Sequence, residues 1–237
     1  MAKQSAESAA TSADNQAAGK RAAAARDKAA RLRKIVCSWQ YEEAAQRTGA
    51  SRIAGIDEVG RGCLFGPVVA AAVILPLGCE LPGLRDSKQL RPRDRERLSE
   101  MIQKCCLASA VAEVDSVTID RVNIYQATRL AMLAAIQKLD PPPDFLLIDA
   151  MKVEHNCPQQ SLIYGDALSL SIAAASVLAK VYRDALMCRM DAEFPGYEIA
   201  AHKGYGTAKH LEAIHRLGPT AQHRKSFAPM RQMQFFD

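Results

Sequence analysis

The 237-residue chain lacks any hydrophobic run long enough to form a membrane-spanning helix. Its longest apolar stretch, Val68 to Leu77, is about half of the ~20 residues that cross a bilayer. Aromatic residues are few, at 5%, but 49% of the residues are hydrophobic and 24% are charged, as in ordinary globular proteins. We therefore expect no membrane span, and the composition excludes a fibrous or wholly disordered chain.

The sequence also lacks the cysteine spacing of a disulfide framework or a zinc site. Its seven cysteines are scattered, include no CxxC pair and have no histidine at finger spacing. We interpret them as reduced thiols and expect a cytoplasmic protein. Four histidines near the C-terminus fit no zinc pattern either, and we expect them to lie at the surface or to face phosphates; they are His202, His210, His215 and His223.

Beyond residue 37 the basic and acidic residues are equal in number, so that part of the chain carries no formal net charge. The formal charge of +5 is matched by the first 37 residues alone, which contain eight basic and three acidic side chains. This segment is polar, rich in alanine, and has no apolar stripe that could dock on a core. We predict that residues 1–37 form a disordered or frayed cationic arm, with a transit peptide as the alternative reading.

Beyond the arm, short apolar runs and helical periodicity indicate an α/β protein. We predict strands at residues 52–58, 68–75, 108–114, 145–148 and 161–164, and helices at residues 39–48, 93–106, 124–139, 167–190 and 207–217. The strands first cluster and later alternate with helices, which favours a mixed five-stranded sheet flanked by helices. We assign residues 38–192 to this domain and residues 193–237 to a small helical cap.

Four carboxylates stand at the ends of these apolar segments: Asp57, Glu58, Asp149 and Asp166. Each of them alone is readily explained as a loop residue or, for Asp166, as a helix N-cap. Together they indicate more, because the carboxyl ends of neighbouring parallel strands converge on one crevice of an open sheet. Asp57 and Asp149 would then face each other if their strands pair.

A cluster of carboxylates repels itself unless a cation compensates the charge, and an all-oxygen site suits Mg²⁺ or Mn²⁺ better than zinc. Two such ions ~3.5–4 Å apart can activate a water and stabilise a leaving oxygen in phosphodiester hydrolysis. One geometric difficulty is that Asp57 and Glu58 are consecutive, so a regular strand points them to opposite faces. Both reach one site only if the chain bends, which Gly60 and Gly62 permit.

Five segments of the sequence resemble the motif blocks of the bacterial ribonuclease HII family, in the family's order, over residues 50–225. The blocks are IDEVGRGCLFGPVVAAAVIL (Ile56–Leu75), DSKQL (Asp86–Leu90), LLIDA (Leu146–Ala150), GDALSLSIAAASVLAKVYRD (Gly165–Asp184) and HKGYGTAKH (His202–His210). The resemblance implies a ribonuclease H-like fold. It also implies a metal-dependent endonuclease that cuts the RNA strand of RNA–DNA hybrids, including ribonucleotides embedded in DNA, and leaves 3′-hydroxyl and 5′-phosphate ends.

The resemblance also implies roles for individual residues. The four carboxylates match the family's metal-binding and catalytic positions, with Mg²⁺ or Mn²⁺ as cofactor. Gly60, Arg61 and Gly62 match a segment whose backbone contacts the ribose 2′-hydroxyl, the group that separates RNA from DNA. Tyr205 matches a tyrosine that packs on the sugar at the RNA–DNA junction. Four further residues match looser phosphate contacts: Lys88, Ser169, Ser171 and Lys180.

Three positions depart from the family pattern. Tyr164 stands where a lysine is common, which puts one phosphate contact in doubt, and Tyr182 stands where a threonine is common. Phe65 replaces a small residue, and we expect it to alter the local packing. The remaining hypotheses are a sister type that prefers Gly-Thr-Gly, which Arg61 disfavours, and a non-catalytic hybrid-binding module, which the four intact acids disfavour.

The expected partners are an RNA–DNA hybrid and DNA that contains ribonucleotides, bound by a monomer. The C-terminal segment Gln232–Phe236 weakly resembles a peptide that binds a sliding clamp. The alternative is that its two phenylalanines dock on the protein's own core. Arg183 is interpreted as a partner of a sheet carboxylate, and Lys180 and Asp184, four residues apart on a helix, are expected to pair.

Overall fold

The computed structural model describes residues 36–85 and 87–233, and the compact unit begins at Cys37. The strands are β1 (Ile53–Val59), β2 (Val68–Ile74), β3 (Ala108–Val114), β4 (Phe145–Asp149) and β5 (Gln159–Leu162). The helices are α1 (Gln40–Gln46), α2 (Pro92–Cys105), α3 (Ser116–Val122), α4 (Ile124–Gln137), α5 (Gly165–Leu168), α6 (Leu170–Glu193), α7 (Ile199–His202), α8 (Ala208–Leu217) and α9 (Ala228–Met233). A 3₁₀ turn, Ser87–Gln89, precedes α2. Residues 1–35 of the predicted arm lie outside the described residues, and so does Asp86.

The five strands form one mixed sheet in the order β3-β2-β1-β4-β5, which confirms the predicted fold class. β1 pairs with β2 in antiparallel orientation and with β4 in parallel, and β4 pairs with β5 in parallel. In the parallel ladder Ile56 lies beside Ile148. The next residues along the two strands, Asp57 and Asp149, therefore reach the same edge of the sheet.

Both faces of the sheet are covered, and every residue of β2 is buried. α4 packs on one face through Ala131 and Met132, while α2 and α6 cover the other face through Leu98 and Val177. Alanines on β2 and α6 keep the layers close, since a small side chain lets backbones approach. Among the residues that the structure describes, no helix has the length and apolarity needed to cross a bilayer.

The helix predicted over residues 167–190 is divided into α5 and α6. Ser169 interrupts it with an extended backbone (φ −107°, ψ 131°), and its hydroxyl accepts the N–H of Ile172 at 3.2 Å as the N-cap of α6. The sequence prediction also missed α3, because its β-branched residues have low helix propensity. There Asp115 caps the helix by accepting the N–H of Thr118 at 2.7 Å.

The segment after α6 packs its short helices on the end of α6 and on Phe65. Phe65 is fully buried, with its ring edge-on to Phe194 and to His223 at centroid distances of 5.4 and 5.0 Å. The bulky residue that the family pattern did not predict thus occupies the centre of this apolar cluster. Thr207 caps α8 by accepting the N–H of His210, at the boundary that the sequence predicted.

The prediction that the C-terminal histidines lie at the surface is wrong for His210 and His223, which are 0% and 1% exposed. His210 Nδ1 lies 2.9 Å from the carbonyl oxygen of Tyr205, and the two rings meet Nε2 to Nε2 at 3.3 Å. His223 Nδ1 accepts the N–H of Thr220 at 2.9 Å. Every ring nitrogen therefore has a partner while both rings are neutral, and burial lowers the pKa of each to about 4.

These buried rings predict a loss of stability in mild acid. The unfolded rings take up protons as the pH falls below 6.5, whereas the folded rings do so only near pH 4. The contribution of the neutral rings to the free energy of unfolding is therefore complete above pH 6.5. It declines as the pH falls toward 4, by about 2 kcal/mol per ring from pH 7 to pH 5. Urea unfolding at both pH values should show this loss in the wild type and a smaller loss in His223→Gln. The exposed His215→Gln is the control; an identical pH dependence in all three proteins would contradict the prediction.

Candidate active site

Asp57 lies near the end of β1 and is only 4% exposed. Its carboxylate accepts the N–H of Glu58 at 2.8 Å and a hydrogen bond from the hydroxyl of Ser176 on α6. Burial raises the pKa of Asp57 well above its usual range, and the charges of Glu58, Asp149 and Asp166 raise it further. The negative charges of all three other acids therefore disfavour ionisation of Asp57.

Glu58 joins the same site although it follows Asp57 directly. β1 stays paired with β2 through Val59, and the chain turns only at Gly60, whose φ is 91°. Burial raises the pKa of Glu58, the nearby Arg61 opposes this shift, and the charge of Asp166 adds to it. Arg61 Nη1 is 3.3 Å from Glu58 Oε1, while Glu58 Oε2 is buried and has no hydrogen-bond partner.

Asp149 and Asp166 are brought together by the short helix α5. The N–H of Gly165 donates to Asp149 Oδ1 at 2.7 Å, and Asp166 is the next residue. Burial and then the charge of Asp166 raise the pKa of Asp149 to about 6. Lys88 extends from the 3₁₀ turn to Asp166 Oδ2 at 3.1 Å, so this lysine neutralises part of the cluster.

The donor chemistry of the four acids fits a hard divalent cation. All the candidate ligand atoms are carboxylate oxygens, two of the four residues are at most 5% exposed, and one oxygen of Glu58 is buried and unpaired. Three of the carboxyl pKa values are raised, which a bound cation would reverse. The fit is one of donor chemistry and not of placement, because no group of three or more Asp, Glu, His or Cys side chains in the described part of the chain is positioned to hold a metal ion.

The Gly60–Arg61–Gly62 turn and the Tyr205 loop lie against each other beside the acids. Cys63 forms an antiparallel bridge with Tyr205, and the N–H of Leu64 donates to the carbonyl of Gly204 at 2.8 Å. Tyr205 is 43% exposed, so its ring remains available to a ligand. A side chain at Gly62 would meet nothing within 4 Å, which leaves this backbone open to approach from outside.

Two buried arginines hold these loops, and neither was predicted in that role. Arg183 donates to the carbonyls of Pro67, Phe65 and Lys203 at 3.2, 3.1 and 2.8 Å. The interpretation of Arg183 as a partner of a sheet carboxylate is therefore wrong, because carbonyl oxygens satisfy its guanidinium. Arg224 donates to the carbonyl of Arg61 at 2.9 Å, so a residue of the last segment supports the glycine turn.

The looser phosphate-contact candidates are buried or paired within the protein. Ser169 and Ser171 are 0% and 1% exposed. The Ser169 hydroxyl and the backbone N–H of Ser171 donate to Glu42 on α1, and the Ser171 hydroxyl is buried without a hydrogen-bond partner. Lys180 Nζ is 2.6 Å from Asp184 Oδ1, which confirms the expected helical pair. Of the predicted contacts to substrate, Lys88 reaches the acid cluster directly, whereas the two serines face the interior.

Sequence reasoning missed Glu42 and Ser176 as neighbours of the site. Glu42 stands in the first turn of α1, where an acidic residue normally faces solvent and favours the helix dipole. Ser176 lies within an Ala/Ser-rich helix and has no motif of its own beyond the family block. Only the packing of α1 and α6 shows which of their polar groups point inward.

Comparison with known proteins points to one family. The Ribonuclease HII family model matches residues 54–230. Ribonuclease HII of Koribacter versatilis (strain Ellin345) is 52% identical over 212 residues, which cover 90% of this chain and 84% of that protein. Ribonuclease HII of Geobacillus kaustophilus (strain HTA426) is 55% identical over 194 residues, which cover 82% of this chain and 75% of that protein.

Solved structures share the architecture. Ribonuclease H2 from Pyrococcus horikoshii OT3 matches with a TM-score of 0.68 at 22% identity, over 78% of this chain and 98% of that chain. RNase HII in a PCNA complex from Archaeoglobus fulgidus matches with a TM-score of 0.65 at 25% identity, over 75% and 96% of the two chains. Bst-RNase HIII in complex with Mn²⁺ matches with a TM-score of 0.59 at 19% identity, over 81% and 72%.

The acid cluster predicts that removing one charge stabilises the cation-free protein. Because the folded-state pKa of Asp149 is about 6, its ionised form destabilises the fold above that pH, and the penalty disappears as the pH falls toward 3.8. Asp149→Asn keeps the oxygen that accepts from Gly165. In EDTA at pH 7.5 it should melt several degrees above the wild type, and the difference should shrink at pH 4.5.

The exposed Glu100→Gln on α2 is the matched control and should leave the melting temperature unchanged. A melting temperature of Asp149→Asn at or below that of the wild type at pH 7.5 would show that the carboxylates do not strain the fold.

Proposed function

The chain belongs to the ribonuclease HII family of metal-dependent hydrolases and cleaves the RNA strand of RNA–DNA hybrids, and we propose that its four clustered acids carry this reaction. The observation that supports this most is that the carboxyl pKa values of Asp57, Glu58 and Asp149 are all raised, and that the charge of Asp166 contributes to each shift. Buried acids with raised pKa values are typical of functional sites. No other described cluster of acids combines such burial with mutual repulsion.

We propose that two divalent ions, Mg²⁺ or Mn²⁺, are held by these acids, with Asp57 and Asp149 central and Glu58 and Asp166 at the sides. When bound, the ions would activate a water and stabilise the leaving oxygen, giving 3′-hydroxyl and 5′-phosphate ends. The Mn²⁺ complex of Bst-RNase HIII supports the choice of cation. Lys88, now paired with Asp166, would exchange part of that contact for a substrate phosphate.

We propose that the Gly60–Arg61–Gly62 backbone reads the ribose and that Tyr205 packs on the junction sugar. The open space at Gly62 supports this, because neither φ nor packing within the protein demands glycine there. A 2′-hydroxyl distinguishes RNA from DNA at close range, so a backbone without a side chain suits that contact. We extend the substrate to single ribonucleotides embedded in duplex DNA. We also infer that the enzyme acts in the cytoplasm.

The proposal predicts that Asp149→Asn lowers turnover at least about 10³-fold, because losing a metal ligand removes several kcal/mol of transition-state stabilisation. Hybrid binding should persist, since the substitution removes a negative charge near the phosphates. The measurement is cleavage of an end-labelled RNA–DNA hybrid, and of a DNA duplex with one ribonucleotide, in Mg²⁺ and in Mn²⁺. Glu100→Gln is the control. Normal turnover in Asp149→Asn would sink the assignment of the acids.

We also propose that Gln232–Phe236 binds a sliding clamp. The proposal is supported by the solved structure of an RNase HII from Archaeoglobus fulgidus in a complex with PCNA. Residues 234–237 lie outside the described residues, and α9 ends at Met233. Deleting the last six residues should abolish binding to immobilised sliding clamp in surface plasmon resonance and leave hybrid cleavage in free solution unchanged. Phe235→Ala/Phe236→Ala should behave like the deletion. Equal clamp binding by all three proteins would remove the idea.

A further inference from the structure

Glu42 is a buried carboxylate that the proposed reaction does not use. It lies on α1 and is 1% exposed. Its Oε1 accepts a hydrogen bond from the hydroxyl of Ser169 at 2.6 Å and another from the N–H of Ser171 at 2.9 Å. The other oxygen, Oε2, is buried without a hydrogen-bond partner, so the two contacts on Oε1 are the ones that offset the cost of burying this carboxylate.

Both partners of Glu42 stand at the break between α5 and α6. Ser169 closes α5 by donating its N–H to the carbonyl of Gly165 at 2.8 Å, and its hydroxyl caps α6. The backbone of Ser38 adds two further hydrogen bonds across the break. Its N–H donates to the carbonyl oxygen of Leu168 at 3.1 Å, and its carbonyl accepts the N–H of Leu170 at 3.4 Å. The segment from Ser38 to Glu42 therefore bonds to both sides of the break.

The break sets the direction of the turn that carries Asp166. A helix continuing through Ser169 would join α5 to the axis of α6, as the sequence pattern favours. Instead, the extended Ser169 separates the two axes, so Asp166 lies on its own turn beside Asp149 and Lys88. Glu42 fixes the conformation of Ser169 from the interior.

The start of α6 also presses on the strand that carries Asp57. Gly55 of β1 has no room for a side chain, because the backbones of Ser171 and Ile172 lie directly against it. The side chain of Ile172 occupies the space where Gly165 would otherwise carry a side chain, next to the carboxylate of Asp149. A shift of the α6 N-terminus would therefore be transmitted to β1 and to α5, two elements that carry site acids.

We propose that Glu42 is a positioning residue for the metal site: by clamping the helix break at Ser169, it sets the placement of Asp166 relative to Asp57 and thereby the affinity for divalent cations. This inference rests on the proposed function, because the role of Asp166 as a ligand is itself proposed. Residues that orient metal ligands typically change metal affinity or activity by about 10–100-fold when they are removed.

The test compares Glu42→Ala with Glu43→Ala in the full chain. Glu43 is an exposed acid in the same helical turn, so its variant removes the same charge without touching the break. Mn²⁺ binding is measured by titration calorimetry, and cleavage is measured against Mn²⁺ concentration. Glu42→Ala should bind Mn²⁺ about 10–100-fold more weakly and need correspondingly more Mn²⁺ for half-maximal activity. The KM for the hybrid should stay unchanged, and Glu43→Ala should match the wild type.

Two further variants keep the test decisive if Glu42→Ala does not fold. Glu42→Gln retains an oxygen acceptor for Ser169 and Ser171, so it should restore Mn²⁺ affinity close to that of the wild type. Ser169→Ala removes the hydroxyl that Glu42 holds, so it should weaken Mn²⁺ binding in the same direction as Glu42→Ala. Wild-type Mn²⁺ affinity in Ser169→Ala and in Glu42→Ala, where that variant folds, would overturn the inference even if both melt at lower temperature.

Failure of the proposed function is distinguishable from failure of this inference. If Asp57→Asn binds Mn²⁺ as the wild type does, the acid cluster is not the metal site. If Asp57→Asn loses binding while Glu42→Ala retains it, the metal site stands and only the positioning role of Glu42 is refuted.

Discussion

Mutual repulsion among four carboxylates is the constraint around which this structure is organised. Burial and the neighbouring acids raise the pKa of Asp57, and the same two causes act on Asp149. The protein offsets this repulsion with single, directed contacts: the N–H of Gly165 to Asp149, the ammonium of Lys88 to Asp166, and the guanidinium of Arg61 to Glu58. A site left partly uncompensated is poised to gain stability from a divalent cation.

The scaffold keeps the acids in place through close backbone packing. Gly55 lets the start of α6 lie on β1, and the fully buried β2 supports β1 by pairing along its edge. The Gly60–Arg61–Gly62 turn and the Tyr205 loop are held differently, by the buried guanidinium groups of Arg183 and Arg224, which donate to carbonyl oxygens of several turns. Two uncharged histidines complete the apolar cluster beneath Tyr205, so this support weakens when the rings take up protons.

The success of sequence reasoning here depended on the kind of signal. Apolar runs predicted β1 to β4 within two residues of their ends; the signal was strongest for β2, whose seven residues are all buried and hydrophobic. β5 was shifted by two residues, since its polar sequence carries little periodicity. α3 was missed because one cap by Asp115 outweighed local propensity. The acids were identified because carboxylates at converging strand ends have few structural reasons to be together.

The sequence by itself determined the fold class, the family and the residues that form the acid cluster, because apolar periodicity, glycine turns and motif order are local properties of the chain. The tertiary structure alone decided where helix 167–190 breaks, which histidines are buried, that Arg183 bonds to carbonyls, and that Glu42 reaches Ser169. Each of these depends on partners far apart in sequence, as with Glu42 and Ser169. Burial and pairing of polar groups are decided only when the elements pack, because the sequence around a polar residue does not show whether it faces water or a buried hydrogen-bond partner.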